Sequence, residues 1–397
     1  MPLEYDLLLP QQTAFGWGRF TEAGTLARSL GSHALVISGS RHLESAGVLE
    51  RLQGLLEDAG VTSQILGHAR REPRVHDVDS LIPPLRASID AHDQERTLVI
   101  GIGGGAALDL AKALSAMATN RHFESVRDGL EGVGQGYAIE QRPLPMLAIP
   151  TTAGTGSECT KNSVISSNDD DEKLFKKSLR SNQMVPDIVL VDPQLGVSVP
   201  PEITAFTGMD AITQLIESAS SCRARPVTTA LAMHGLELGA GQLERAVLEP
   251  DNREAREAMS HAAYLSGIAL ANSGLGMAHG VAPALGILAD VPHGLACAIM
   301  LPAALEANRS VRAREIATLA RLLTGREFSS DDEAARAAPE AVLELQSRIG
   351  ISPKLSDHGV TREQIPAIVA GSRGNSMSGN PRAIEDDELT EILERMF

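Results

Sequence analysis

Along its first half the chain alternates short apolar runs with amphipathic stretches. Residues 33–39 (HALVISG) form an apolar run rich in β-branched side chains, and a charged stretch with helical spacing follows at 49–59. Further apolar runs lie at 61–67, 97–103 (TLVIGIG), 146–152 (MLAIPTT) and 187–192 (DIVLVD), and 108–117 again has helical spacing. A strand with one solvated face would show a period of two. These runs do not, so they predict strands covered on both faces, as in a parallel α/β sheet. The polar run at 168–171 (NDDD) predicts a solvated loop. After Pro200 and Pro201 the pattern changes, and Ala- and Leu-rich segments at 210–220, 226–247, 253–272 and 311–323 predict helices. The expected fold class is therefore an α/β domain with a parallel sheet over residues 1–200 and an all-α domain over 201–397.

Composition narrows the function classes. The length of 397 residues suits two domains, and 43% hydrophobic with 22% charged residues is ordinary for a globular chain. Lys and Arg number 35 against 51 Asp and Glu, a net charge of −16, which repels nucleic acid. Three cysteines make no disulfide framework and fit a reducing, cytoplasmic setting. The first 13 residues carry Glu4 and Asp6 and no basic residue, unlike a signal peptide. Residues 258–289 contain no Asp, Glu, Lys or Arg, yet they hold His261, Asn272, Ser273, Gly274, Gly276, His279, Gly280 and Pro283. That density of polar and helix-breaking residues is costly in lipid, so buried helices rather than a membrane span are expected.

Three motifs carry candidate chemistry. Residues 98–112 (LVIGIGGGAALDLAK) run from a strand through Gly103, Gly104 and Gly105 into a helix. Such a junction is a tight turn or a phosphate cradle, because glycines admit close backbone approach and a helix N-terminus offers N–H groups to anions. Residues 150–158 (PTTAGTGSE) are dense in hydroxyls and glycines at the end of a strand, where an α/β sheet holds a nucleotide or simply turns. The third is dispersed: Asp210 in TGMDAITQLIES, where Thr207 can cap a helix, His279 in GMAHGVAPALG and His293 in DVPHGLACAIMLP. A carboxylate with imidazoles suits a divalent metal such as zinc or iron, although apolar surroundings also hold hydrogen-bonded histidines. His234 and His261 read as structural.

In this order the motifs resemble the iron-containing (group III) alcohol dehydrogenase family. The resemblance begins around Phe15, Gly16, Trp17 and Gly18, taken as a strand pair. It continues through GGGAALDLAK (similar to GGGSxxDxAK, with Ala106 for Ser), PTTAGTGSE, Val191-Asp192-Pro193, GMDA and the two His motifs, His279 and His293 being fourteen apart. It implies the dehydroquinate synthase-like architecture: a dinucleotide-binding domain, a helical domain and an active site in the cleft between them. The implied metal ligands are one Asp and three His, which fall on Asp210, position 214, His279 and His293. Position 214 is Gln, whose amide oxygen is a weaker and harder ligand than imidazole. Pro283 stands where family members often carry a proton-relaying His. The resemblance makes Asp210, His279 and His293 the catalytic set around Fe(II) or Zn(II). The resemblance also implies hydride transfer between the nicotinamide of NAD(P)H and a small aldehyde or its alcohol, in a homodimer.

Gly103, Gly104, Gly105, Asp109, Thr151, Thr152 and Thr155 match the family's cofactor-contacting segments, and Lys176 in LFKKSLRS falls near a lysine that approaches the nucleotide. Many NAD-using members have an Asp after the strand at 33–38, where its carboxylate binds ribose hydroxyls and repels a 2′-phosphate. Here Gly39, Ser40 and Arg41 stand at that point, which favours NADP(H) over NAD(H). The loop 371–382 carries Arg373 and Arg382, either a solvated loop or an anchor for an anionic substrate. The alternative enzyme class is a dehydroquinate-synthase-like lyase, which uses NAD and a metal without net oxidation. A non-enzymatic binding protein on the same fold would bind cofactor without turnover.

Overall fold

The computed structural model describes residues 4–39, 41–168, 171 and 174–397. The chain divides into two compact units, one of Leu8–Thr152 with Ser157–Gly196, the other containing Ala153–Gly156 and Val197–Phe397. The loop after Thr152 thus contributes residues to both.

The first unit is built on a six-stranded parallel sheet. Its strands are β1 (Gln12–Phe15), β2 (His33–Ser38), β3 (Thr62–His68), β4 (Thr97–Gly103), β5 (Met146–Pro150) and β8 (Ile188–Val191), in the order β1-β8-β5-β4-β2-β3. Every residue of β2, β4, β5 and β8 is buried, which is why their sequences run apolar without alternation. The strand order reverses between β2 and β4, so a crevice opens beyond their carboxyl ends, the place where such sheets hold ligands. Around Phe15 there is one strand rather than a pair. β1 joins β8, and residues 19–22 turn into a 3-10 helix.

A second sheet escapes the sequence pattern: β6 (Asn162–Ser166) and β7 (Lys176–Arg180) pair antiparallel. Asp169 and Asp170, in the polar run expected to be a loop, lie outside the described residues. Its ends are engaged rather than simply solvated: Asn168 accepts from the His76 N–H at 3.0 Å, and Asp171 pairs with Arg127 at 3.2 Å.

The second unit is helical around one large core to which Met209, Ile212, Leu236, Leu285, Ala296 and Leu301 belong. The helix expected from 210 begins at Pro201 and runs to Ser220, since proline at the first turn needs no N–H partner. Thr207 therefore lies inside it and does not cap it; its hydroxyl donates to the Ile203 carbonyl at 2.8 Å. The segment 226–247 breaks into helices Pro226–Gly239 and Leu243–Leu248. The segment 311–323 is the end of the longer helix His293–Thr324, kinked at Arg312. Arg253–Ser273 and Met277–Ala289 account for the charge-free stretch, and no helix among the described residues is long and apolar enough to cross a membrane.

One buried ion cluster fixes the loop after β5. Lys112, 1% exposed on helix Gly105–Thr119, donates to the Ser157 carbonyl at 2.9 Å, to Thr160 Oγ1 at 2.8 Å and to the Asn162 carbonyl, and pairs with Asp109 at 3.1 Å. Asp109 in turn accepts from the Ser157 hydroxyl and the Val164 N–H. Burial pulls the Lys112 ammonium below its usual range, against the attraction of Asp109. Burial also pushes the neighbouring Glu158 carboxyl from 4.5 up to about 7. A raised carboxyl pKa means that the folded state favours the neutral acid. Its contribution is fully present below pH 4.5 and is lost as pH rises through 7. Glu158→Gln is therefore expected to raise unfolding free energy by up to about 3 kcal/mol at pH 8, with the gain fading toward pH 4. Urea melts at the two pH values check this, and a loss of stability at pH 8 would show that attraction to Lys112 outweighs burial.

Candidate functional site

In the sheet unit, the ends of β2 and β4 meet glycine to glycine. A Cβ on Gly39 would lie 3.2 Å from Gly103 Cα, and one on Gly103, at φ +149°, would lie 2.8 Å from Ala107 Cβ. Gly39 donates its N–H to the Ile102 carbonyl at 2.8 Å, and Thr151 donates to the Gly103 carbonyl at 3.0 Å. Gly104 is the extended N-cap of helix Gly105–Thr119, and a Cβ there would sit 3.2 Å from Thr152 Oγ1. Gly39, Gly103, Gly104, Gly105, Thr151 and Thr152 thus gather at one helix N-terminus, whose first N–H groups lack intrahelical acceptors and suit a pyrophosphate. Ser40 lies outside the described residues. Thr155 belongs to the helical unit, where its carbonyl accepts from Gln214 Nε2 at 3.2 Å. Asp109 points its carboxylate into the Lys112 cluster described above. Lys176 pairs with Glu72 at 2.6 Å, on the loop that leaves β3 and carries Arg70 and Arg71.

In the helical unit, four side chains converge. Asp210 Oδ1 lies 3.0 Å from His279 Nε2 and 3.9 Å from His293 Nε2, and Cys297 Sγ lies 3.8 Å from His293 Nε2. One donor atom from each of Asp210, His279, His293 and Cys297 falls within 4.8 Å of all the others. The sequence positions them simply. His293 and Cys297 are one turn apart on one helix face. Gly294 lets that helix cross the Asp210 helix closely: a Cβ there would be 2.4 Å from the Phe206 carbonyl oxygen.

Glu217, two turns after Asp210, is buried and organises the next helix. Its carboxylate accepts from the N–H of Gly276 (3.0 Å), Ala278 (2.7 Å) and His279 (3.4 Å), and from His279 Nδ1 at 2.8 Å. Asn380 accepts from the Met277 N–H at 3.1 Å. All four orphan donors at the start of helix Met277–Ala289 are thereby satisfied, and negative charge sits at the positive end of its dipole. With Nδ1–H bonded to Glu217, His279 presents Nε2 to Asp210. Burial opposes a charged imidazole, but Cys297, Asp210 and Glu217 outweigh it and hold His279 well above the ordinary histidine range. Burial likewise opposes ionised Asp210, while the hydrogen bond from His279 and the nearness of His293 keep its carboxyl below its usual value. Burial pushes the Cys297 thiol up to about 12.

Gln214 sits one turn from Asp210, but its amide is spoken for: Oε1 accepts from Ser266 Oγ at 2.6 Å while Nε2 binds the Thr155 carbonyl. Sequence reasoning passed over Glu217 and Cys297. The available signals were a second carboxylate at i+7 from Asp210, and a thiol at i+4 from His293. The two arginines of the 371–382 loop are engaged within the protein. Arg373 donates to the Ile384 carbonyl at 2.7 Å and pairs with Asp386, and Arg382 donates to the Ala307 carbonyl at 2.7 Å and pairs with Glu388. His234 and His261 stack edge to face at 6.2 Å, apart from this cluster's residues. An oxygen, two imidazole nitrogens and a sulfur, with Asp210, His279 and Cys297 buried and His293 partly so, are a donor set that fits a divalent metal.

Comparison with known proteins places this arrangement. Residues 10–193 match the model of the iron-containing alcohol dehydrogenases, and residues 204–397 match the C-terminal model of the Fe-containing alcohol dehydrogenase family. A long-chain-alcohol dehydrogenase 1 of Geobacillus thermodenitrificans (strain NG80-2) is 29% identical over 98% of this chain and 96% of its own. The crystal structure of a 1,3-propanediol oxidoreductase superposes with a TM-score of 0.89 at 30% identity, covering 99% of this chain and 100% of that one. A sulfoacetaldehyde reductase from Bifidobacterium kashiwanohense, solved in complex with NAD+, gives 0.86 at 31% identity over 100% and 99% of the two chains. The chain belongs to the iron-containing alcohol dehydrogenase family, oxidoreductases that act on CH–OH groups.

Proposed function

We propose that this chain reduces a small aldehyde, or oxidises the corresponding alcohol, with NADP(H) favoured over NAD(H) and a divalent metal held by Asp210, His279 and His293. The observation that carries the reading is the convergence of those three side chains, with Asp210 and His279 buried and His293 partly so. Asp210, His279 and His293 would hold the metal, which would supply a Lewis acid for a carbonyl oxygen, and a nicotinamide would supply or take the hydride. The protein's own part is positional. Asp210 brings charge into a site where burial strengthens electrostatics. Glu217 fixes which ring nitrogen His279 presents, as a hydrogen-bonded carboxylate does behind a ligating histidine. Gly103, Gly104 and Gly105 open the helix terminus to a pyrophosphate. Substrates named for the relatives, propanediol and sulfoacetaldehyde among them, support a small carbonyl compound without selecting one. A cytoplasmic homodimer is part of this reading.

The preference for NADP(H) rests on the crevice edge. Gly39 offers no carboxylate, and its burial against Gly103 leaves no room for one without a backbone shift, so an Asp introduced there would strain the crevice as well as change its charge. Ala69 donates its N–H to the Ser38 carbonyl at 2.8 Å, so Arg70 leaves β3 beside the point where Gly39 leaves β2, with Arg41 exposed just beyond. A 2′-phosphate is the anion such cations suit.

Two expectations test the proposal. Asp210→Ala, His279→Ala and His293→Ala should each lower kcat at least 100-fold with aldehyde and NADPH while circular dichroism stays unchanged. Full turnover in any one of them would remove that residue from the site. Steady NADPH consumption with added aldehyde also separates this reading from a lyase without net oxidation. For the cofactor, wild type should show the higher kcat/KM with NADPH. Arg41→Ala combined with Arg70→Ala should lower it about 10- to 100-fold with NADPH and little with NADH. A wild type that strongly prefers NADH contradicts the cofactor assignment.

A further inference from the structure

We infer that Cys297 is a metal ligand, and that its thiolate with Asp210, His279 and His293 makes a zinc-preferring site in place of the one-carboxylate, three-imidazole set that the resemblance implies. This rests on the reading that Asp210, His279 and His293 hold a metal, and adds the fourth donor and the metal's identity.

The residue at position 214 is the natural candidate for the fourth donor, and its surroundings argue against it. The Gln214 amide is buried and bonded at both ends, to Ser266 Oγ at 2.6 Å and the Thr155 carbonyl at 3.2 Å. Turning its oxygen toward the metal ligands would break the bond that oxygen accepts from Ser266. Cys297 requires no such rearrangement. It is fully buried, stands one helical turn from His293, and its sulfur already lies with the other three donor atoms inside a 4.8 Å sphere of mutual distances. With a Zn–S bond of about 2.3 Å and Zn–N of about 2.0 Å at tetrahedral angles, sulfur and nitrogen stand roughly 3.5 Å apart. The Cys297 to His293 separation of 3.8 Å is close to that edge, and Asp210 lies 3.0 Å from His279 and 3.9 Å from His293, either side of the roughly 3.3 Å between oxygen and nitrogen ligands. The other separations all lie within 4.8 Å, within reach of side-chain rotation. Softness then selects the metal. Thiolate with imidazole suits zinc, and the exchange of an imidazole for a thiolate moves the site away from iron(II). Binding displaces the thiol proton to solvent, as for any ligating cysteine.

Cobalt(II) reports this directly, since sulfur bound to cobalt gives a near-ultraviolet charge-transfer band that oxygen and nitrogen donors do not. The full-length protein is stripped with a chelator, reloaded with cobalt(II), and its absorption and cobalt content are measured together. One cobalt per chain with the band in wild type, and one per chain without it in Cys297→Ala, supports the inference. In parallel, zinc affinity measured against a competing chelator should fall at least tenfold in Cys297→Ala, while iron(II) affinity changes less. Stoichiometric cobalt with no band in wild type overturns thiolate ligation and leaves the metal-site reading intact. That spectrum decides the point even where the variant does not fold. Absence of bound cobalt overturns both the inference and the reading beneath it.

Discussion

The helical unit depends on one buried carboxylate. Glu217 gathers N–H groups from Gly276, Ala278 and His279 and the His279 ring in a single two-oxygen group. Leaving those donors unpaired in a buried site would cost about 1–3 kcal/mol each, so the start of helix Met277–Ala289 at Gly276 depends on the acceptor oxygens that reach it. Gly276 is part of the same constraint, because a Cβ there would lie 2.9 Å from Glu217 Oε1. The position of His279 follows from that fixed start, and with it the distance to Asp210. Asn380 completes the cap from the far end of the chain and is itself held by a reciprocal pair of hydrogen bonds to Asn308.

The sheet unit solves the opposite problem. There the site is defined by what is absent: no side chain at Gly39 or Gly103, where two strand ends touch, and an uncapped helix terminus at Gly104. Charge is kept away from that terminus by being tied up elsewhere. Asp109 is held by Lys112, Ser157 and the Val164 N–H. Both units therefore place their chemistry at helix N-termini. One terminus is filled by Glu217, which leaves an imidazole oriented. The other is left open, which suits an anion.

What could be read in the sequence follows from this. The strands of the parallel sheet were legible because burial on both faces leaves an unbroken apolar run. The β6–β7 hairpin was not, because NSVIS and KKSLR are short and largely polar. Their pairing is supported by distant partners, Pro73 to Ser166 and Glu72 to Lys176. Asp210, His279 and His293 stood out only through the motifs around them. Glu217 and Cys297 drew no reading of their own, and only the structure brings them to His279 and His293. The surroundings of Gln214 come from Ser266 and Thr155, which lie 52 and 59 residues away, so no local pattern could reveal that its amide was engaged.

The Glu217 carboxylate sets the position of His279, on which the proposed metal binding relies. Metal affinity of Glu217→Gln, measured by chelator competition beside a urea melt of the metal-free protein, tests it most directly. An amide has one acceptor oxygen and presents N–H to N–H on its other side, so the account predicts a 10- to 100-fold weaker metal and a loss of about 2 kcal/mol. Wild-type metal affinity together with wild-type stability would contradict it.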